Sequence, residues 1–155
     1  MKVVNGIKNF WKWRKVIYND GWWDSYYIFE MLRFKFEDME QKFRKYGISV
    51  TAKKDADKMK ICKLLLDRLI KDEYYENVFK YHHKKWGEPE FKWIDMEDSE
   101  YSSLEINHKN VVTEEDKKIE RKEYKNLMHR EVALRKQDIN YLFKILGKNI
   151  LQWWD

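Results

Sequence analysis

The residues best equipped for chemistry in this chain are aromatic and basic side chains that alternate in short runs. Phe10-Trp11-Lys12-Trp13-Arg14-Lys15 is one run, Lys80-Tyr81-His82-His83-Lys84-Lys85-Trp86 a second, and Trp22-Trp23 with Tyr26-Tyr27 a third. Rings stack on nucleobases while Lys, Arg and His meet phosphates, and stacking is worth about 1–3 kcal/mol per base. The pattern points to an anionic ligand of the nucleotide type. Trp22, Trp23, Tyr26, Tyr27 and Trp86 are the candidate stacking residues, and Arg68, His83, Lys84 and Lys85 the candidate phosphate holders. The same composition would serve a single-stranded nucleic acid, or a core of rings beneath a solvated Lys face. Arg68 lies beside the apolar Leu66, Leu69 and Ile70, a setting in which an Arg usually pairs with an acid, here Asp67 or Asp24.

Catalytic sets are harder to assemble. His82 and His83 are adjacent, so on a helix they diverge by about 100° and are not expected to grip one ion together. His108 and His129 stand alone in the sequence. Carboxylates recur at i, i+3 spacing in Glu37/Glu40, Glu73/Glu76 and Glu120/Glu123, the spacing at which all-α nucleotide pyrophosphohydrolases hold Mg²⁺. None is followed by the matching Glu-x-x-Asp pair, which leaves hydrolysis as a lesser alternative. Cys62 falls on an apolar stripe and has no nucleophilic context, and the five Gly are too scattered for a phosphate-cradling loop. A binder without catalytic residues, metal or cofactor is the expectation.

The elements that must position these groups read as helices. Ile7 to Tyr18 carries Ile7, Phe10, Trp11, Arg14 and Ile17 on one face, and Asn19-Asp20-Gly21 is a turn signal. A second helix runs from about Trp22 to Tyr46, with Ile28, Leu32, Phe36, Met39, Phe43 and Tyr46 stepping by four and three. Gly47 follows as its stop. A third begins near Thr51 and runs to about Asp72, burying Ala52, Ala56, Met59, Cys62, Leu66, Leu69 and Ile70; Glu73 to Trp86 either continues it or forms a separate helix. Gly87-Glu88-Pro89 ends the helical run. From Phe91 to Val112 the helical period is lost, and Phe91, Trp93, Tyr101, Leu104 and Ile106 leave room for a hairpin. Thr113-Glu114-Glu115-Asp116 is a helix start, with a hydroxyl cap and acids in the first turn. Beyond it the stripe Met128, Val132, Ile139, Leu142, Phe143, Leu146, Ile150 and Trp153 fits one long helix or two.

These elements predict an all-α fold, a bundle or orthogonal array of four to six helices in one domain over 1–155. Its parts are helical over 1–87, acidic and irregular over 88–112, and helical again over 113–155. With 17% aromatic residues the chain carries the apolar surface that folding requires, and one Pro with five Gly excludes a turn-rich β sandwich. A single Cys excludes a disulfide framework or a Cys-based zinc site. The net charge of +5 is uneven: residues 88–116 hold two Lys against ten acids, inside an otherwise basic chain. That segment is either a solvated acidic loop or a strap that folds over the basic surface and competes with anions. No apolar run approaches a membrane span, and Met1-Lys2-Val3-Val4-Asn5-Gly6 has no signal-type apolar region, so no membrane partner and a reducing cytoplasm are expected. Large rings near helix ends, such as Trp11, Trp22, Trp23, Trp153 and Trp154, exceed what a small core holds and imply a homo-oligomer or a ligand.

Trp22-Trp23-Asp24-Ser25-Tyr26-Tyr27, Tyr46-Gly47, Leu66-Asp67-Arg68-Leu69 and His83-Lys84-Lys85-Trp86-Gly87 together resemble a pattern in small uncharacterised proteins of tailed bacteriophages. The resemblance spans residues 22–87 and implies an origin without a mechanism. By analogy with small phage proteins that sequester cyclic nucleotide immune signals, it implies an anti-defence sponge acting in the cytoplasm of an infected bacterium. A protein-interaction module that acts on a host or virion protein is the alternative that needs no ligand.

Overall fold

The computed structural model describes residues 2–18, 26–95 and 102–153. Among them the chain forms α1 (Lys2–Tyr18), α2 (Tyr26–Tyr46), α3 (Ala52–Lys71), α4 (Tyr74–Trp86), β1 (Pro89–Asp95), β2 (Ser102–His108), α5 (Glu114–Asn149) and a 3-10 turn over Ile150–Gln152. The fold is an all-α helical array carrying one two-stranded antiparallel ribbon. The segment from Glu73 is a separate helix, because Asp72 takes a left-handed conformation with φ 53° and its N–H closes on the Arg68 carbonyl. The region after Thr113 is one continuous helix of 36 residues.

The chain divides into two compact units, Met1–Asp72 with Gln137–Asp155, and Glu73–Lys136. This division cuts across the expected partition at residues 87 and 112, since α5 gives its two ends to different units. In the first unit α3 supplies the core. Ala52, Ala56, Met59, Cys62, Leu65, Leu66 and Leu69 are buried, and Leu142, Ile145, Leu146 and Trp153 contribute from the other end of the chain. Phe36 of α2 meets Trp153 edge to face at 5.8 Å. Cations of α2 bridge to α3 through Arg44–Asp57 at 2.8 Å and Arg33–Asp67 at 3.6 Å.

Several expected faces are corrected. On α1 the residues Ile7, Phe10, Trp11 and Ile17 are exposed, and Trp13 instead meets Phe34 of α2 at 4.8 Å. Ile28 and Tyr46 at the ends of α2 are exposed as well. On α5 Met128, Val132 and Phe143 face solvent, as does Ile150 in the 3-10 turn, while Glu120, Glu131 and Asp138 are buried with Leu142 and Ile145. Intervals of 11, 7, 4 and 3 residues keep those five on one face, so the inward face of α5 is partly acidic. The acids are compensated: Glu131 pairs with Arg135, and Asp138 with Arg68 at 2.8 Å.

The second unit is α4, the ribbon and α5 up to Lys136. Phe91 pairs with Ile106 and Trp93 with Leu104, which puts these four side chains on one exposed face of the ribbon. Gly87, at φ 86°, turns the chain out of α4. The return strand is fastened to the same point: the Asn110 N–H donates to the Trp86 carbonyl at 2.8 Å, and the Asn110 side-chain amide to the Lys85 carbonyl at 3.2 Å. Two carbonyls at the end of α4 are thereby satisfied, and His108 is brought alongside the helix. The start of α5 is a reciprocal cap in which Asp116 N–H donates to Thr113 Oγ1 at 3.1 Å and Thr113 N–H to Asp116 Oδ2 at 2.9 Å.

Candidate functional site

His82, His83 and His108 come together in the second unit, each offering a ring nitrogen within 4.8 Å of the others. This corrects the expectation that neighbouring His82 and His83 could not share an ion and that His108 stands alone. The Cβ atoms of adjacent helical residues diverge, but an imidazole has two side-chain torsions. The strand end supplies His108 beside both, with ring centroids 5.0 Å from His82 and 6.3 Å from His83. Glu120, from the second turn of α5, completes the group: its Oε1 lies 3.1 Å from His108 Nδ1 and 3.5 Å from His82 Nε2.

The cluster is dry. The side chains of His82 and His108 are 1% and 2% exposed, and Glu120 is 10% exposed. Both ring nitrogens of His82 and Nε2 of His108 are buried without a hydrogen-bond partner. A buried polar atom left unsatisfied costs about 1–3 kcal/mol, so three in one place call for an explanation. Burial, with the neighbouring His108 next in importance, pushes the His82 pKa down and favours the neutral imidazole. Beneath lie aromatic rings. Phe79 is fully buried, stacks on Tyr75 at 4.3 Å, and stands 5.1 Å from Tyr124 and 5.7 Å from His82. Desolvation, chiefly, raises the Tyr75 pKa.

His83 links the cluster to an open cleft of about 920 Å³ whose lining includes Tyr75, Phe91, Lys80, Lys84, Glu76 and Glu88. Among the described residues its ring nitrogens make long contacts, Nδ1 to Glu88 at 3.4 Å and Nε2 to the Tyr75 hydroxyl at 3.4 Å. A smaller cleft of about 370 Å³, lined by Tyr81, His82, Lys85, Glu123 and Arg130 among others, lies against His82.

The nine residues singled out from the sequence do not form one described site. Trp22 and Trp23 lie outside the described residues. Tyr26, Tyr27 and Arg68 belong to the first unit, where the Tyr26 hydroxyl donates to Asp72 at 3.4 Å. Arg68 pairs with Asp138; of the two acids expected for it, Asp67 meets Arg33 and Lys63, and Asp24 lies outside the described residues. His83 and Lys84 line the large cleft. Lys85 lines the small one, 2.6 Å from Glu123, and Trp86 is buried with its indole N–H bound to Glu123 at 2.7 Å. Of the carboxylate pairs, Glu37 and Glu40 are engaged by Arg33, Lys63 and Arg44, as salt-bridged helix surfaces are. Sequence reasoning missed His108, Glu120, Tyr75 and Lys80 as site residues. Tyr75 and Lys80 share α4 with His83, whereas His108 and Glu120 join them only where the ribbon returns to α4 and α5 begins.

The fold and site thus define an all-α protein with a buried histidine cluster beside a cleft lined by aromatic rings and by charged groups of both signs. No protein-family model matches the chain, and comparison with curated proteins and with solved structures gives no match. Among the described residues no helix is long and apolar enough to cross a membrane.

Proposed function

We propose that the second unit binds a small anionic ligand that carries an aromatic ring, the nucleotide class being the one that joins the two. The observation that carries this reading is the cleft of about 920 Å³, where Lys80, Lys84 and His83 stand with the rings of Tyr75 and Phe91. Its size lies within the range of ligand sites, and its residues supply both needs of a nucleotide: cations for phosphate and faces for a base. Glu76 and Glu88 in the same lining offset the two lysines, which disfavours a long polyanion and suits a compact ligand or one that bears its own donors. In the finer form of this reading the ligand is held without being converted, as a sponge would hold it.

The test is a thermal-shift panel of mono-, di- and cyclic nucleotides, with the recovered ligand examined by chromatography. A ligand at 100 times its Kd stabilises the native state by about 2.7 kcal/mol. The expected result is a raised midpoint with intact ligand, abolished in the double variant Lys80→Ala/Lys84→Ala while helicity is kept. No shift with any nucleotide, or an equal shift in the double variant, refutes the reading. A steep loss of affinity with salt would move the assignment to single-stranded nucleic acid.

A further inference from the structure

We propose that His82, His83 and His108 form a binding site for one divalent transition metal of the zinc class, with Glu120 orienting the ligands. Lone-pair accounting supports this. Glu120 faces His108 Nδ1 at 3.1 Å, which places the proton there and leaves Nε2 as the lone-pair nitrogen. That Nε2 is buried without a partner, as are both ring nitrogens of His82. A carboxylate behind a histidine is the common outer shell of a metal site, where it sets the tautomer and raises ligand basicity. A merely structural His–Glu core accounts for His108 Nδ1 and, at 3.5 Å, for His82 Nε2, but leaves His82 Nδ1 and His108 Nε2 idle. Coordination employs those two, one lone pair from each ring.

The distances suit a site that closes on its ion. Zinc–nitrogen bonds of about 2.0–2.1 Å in a tetrahedron put ligand nitrogens roughly 3.3–3.4 Å apart. The three nitrogens already lie within 4.8 Å of one another. Rotations of the side chains close the gap, and among the described residues His83 is held back by two contacts at 3.4 Å. Three imidazoles select zinc, cobalt or nickel over magnesium and calcium, which prefer all-oxygen shells. Three protein ligands leave a fourth position for water or an anion, and His83 stands on the border of the cleft. The site does not depend on the nucleotide reading, since its ligands are complete without Lys80 or Lys84.

The test uses tag-free protein, treated with a chelator and dialysed against micromolar zinc, with bound metal counted by elemental analysis and the geometry read from cobalt absorption. About one equivalent per chain is expected, with cobalt bands of four-coordinate intensity and no competition from millimolar magnesium. His82→Gln and His108→Gln should each weaken binding by more than about tenfold, and Glu120→Gln by about 10–100-fold, the usual effect of an outer-shell partner. His129→Gln, on α5 outside the cluster, should leave binding unchanged. Less than about 0.1 equivalent on the parent protein overturns the proposal, as does parent-like affinity in both histidine variants. Should those variants fail to fold by circular dichroism, parent stoichiometry and the Glu120→Gln affinity still decide it. Because no nucleotide is present, a negative result here leaves the ligand reading standing, and the converse holds.

Discussion

Trp86→Phe isolates the hydrogen bond that ties the end of α4 to α5. The Trp86 indole N–H donates to Glu123 Oε2 at 2.7 Å, and Lys85 Nζ donates to the other oxygen at 2.6 Å. A hydrogen bond to a charged group contributes about 1.5–3 kcal/mol, but the Glu123 side chain is 39% exposed, so water replaces part of what is lost. About 1 kcal/mol remains from the bond, and removing part of a buried ring adds about 1 kcal/mol more. Urea unfolding followed by far-ultraviolet circular dichroism should therefore show a loss of about 2 kcal/mol at pH 7, or about 1 M in midpoint for a slope near 2 kcal/mol per M. Amide exchange in α4 serves as the local probe. The pH dependence carries the sharper test. The Lys85 hydrogen bond first, and that of Trp86 second, hold the Glu123 pKa below the ordinary glutamate range. A depressed folded pKa contributes stability that is complete above the unfolded value of about 4.3 and is lost as pH falls through the folded value. The parent protein should lose this contribution in acid, whereas Trp86→Phe has less to lose. The gap between them should narrow toward about 1 kcal/mol, the part due to packing, as pH falls through the folded value. A gap that stays constant while Glu123 is titrated, or no gap at pH 7, would refute the assignment of Glu123 as the ionised acceptor.

Two further outcomes follow from the geometry. Gly87→Ala forces a side chain into φ 86° and sets its Cβ 3.1 Å from Lys109 Cβ; a loss of about 1–3 kcal/mol is expected by thermal unfolding, and an unchanged midpoint would contradict it. Cys62 is fully buried, and desolvation pushes its thiol up to about 11. Relative to a free thiol near 8.5, that leaves about two orders of magnitude less thiolate at pH 8. Iodoacetamide should label native protein at least that much more slowly than urea-unfolded protein, and comparable rates would show the thiol to be accessible.

The helices were legible because each carries its own punctuation. The Thr113–Asp116 cap, the Gly87-Glu88-Pro89 stop and the α3 stripe are local features, and the structure has all three, save that Ile70 is half-buried and Leu65 is buried in the stripe. The left-handed Asp72 that separates α3 from α4 was not legible, since Asp is no more than tolerant of that conformation. The inward face of α5 was hidden by its chemistry. A rule that seeks apolar periodicity passes over Glu120, Glu131 and Asp138, whose burial is compensated by His108, by Arg135 one helical turn on, and by Arg68. On α1, apolar periodicity pointed the other way: Phe10 and Trp11 share a face, yet that face is exposed.

Local sequence, then, determined that this protein is helical, where most of its helices stop, and that basic and aromatic groups crowd around residues 80–86. Those properties depend on backbone propensity, capping and composition, each settled within a few residues. Only the tertiary structure decided which of those groups meet. Trp86 and Arg68 were drawn into pairs with Glu123 and Asp138, while His83 and Lys84 stayed at a cleft. His108 and Glu120 reached His82 because the ribbon returns to the end of α4 and α5 starts beside it. A cluster assembled from three elements has no signature along the chain, since its spacing is set by how the chain turns back and not by the period of any one helix.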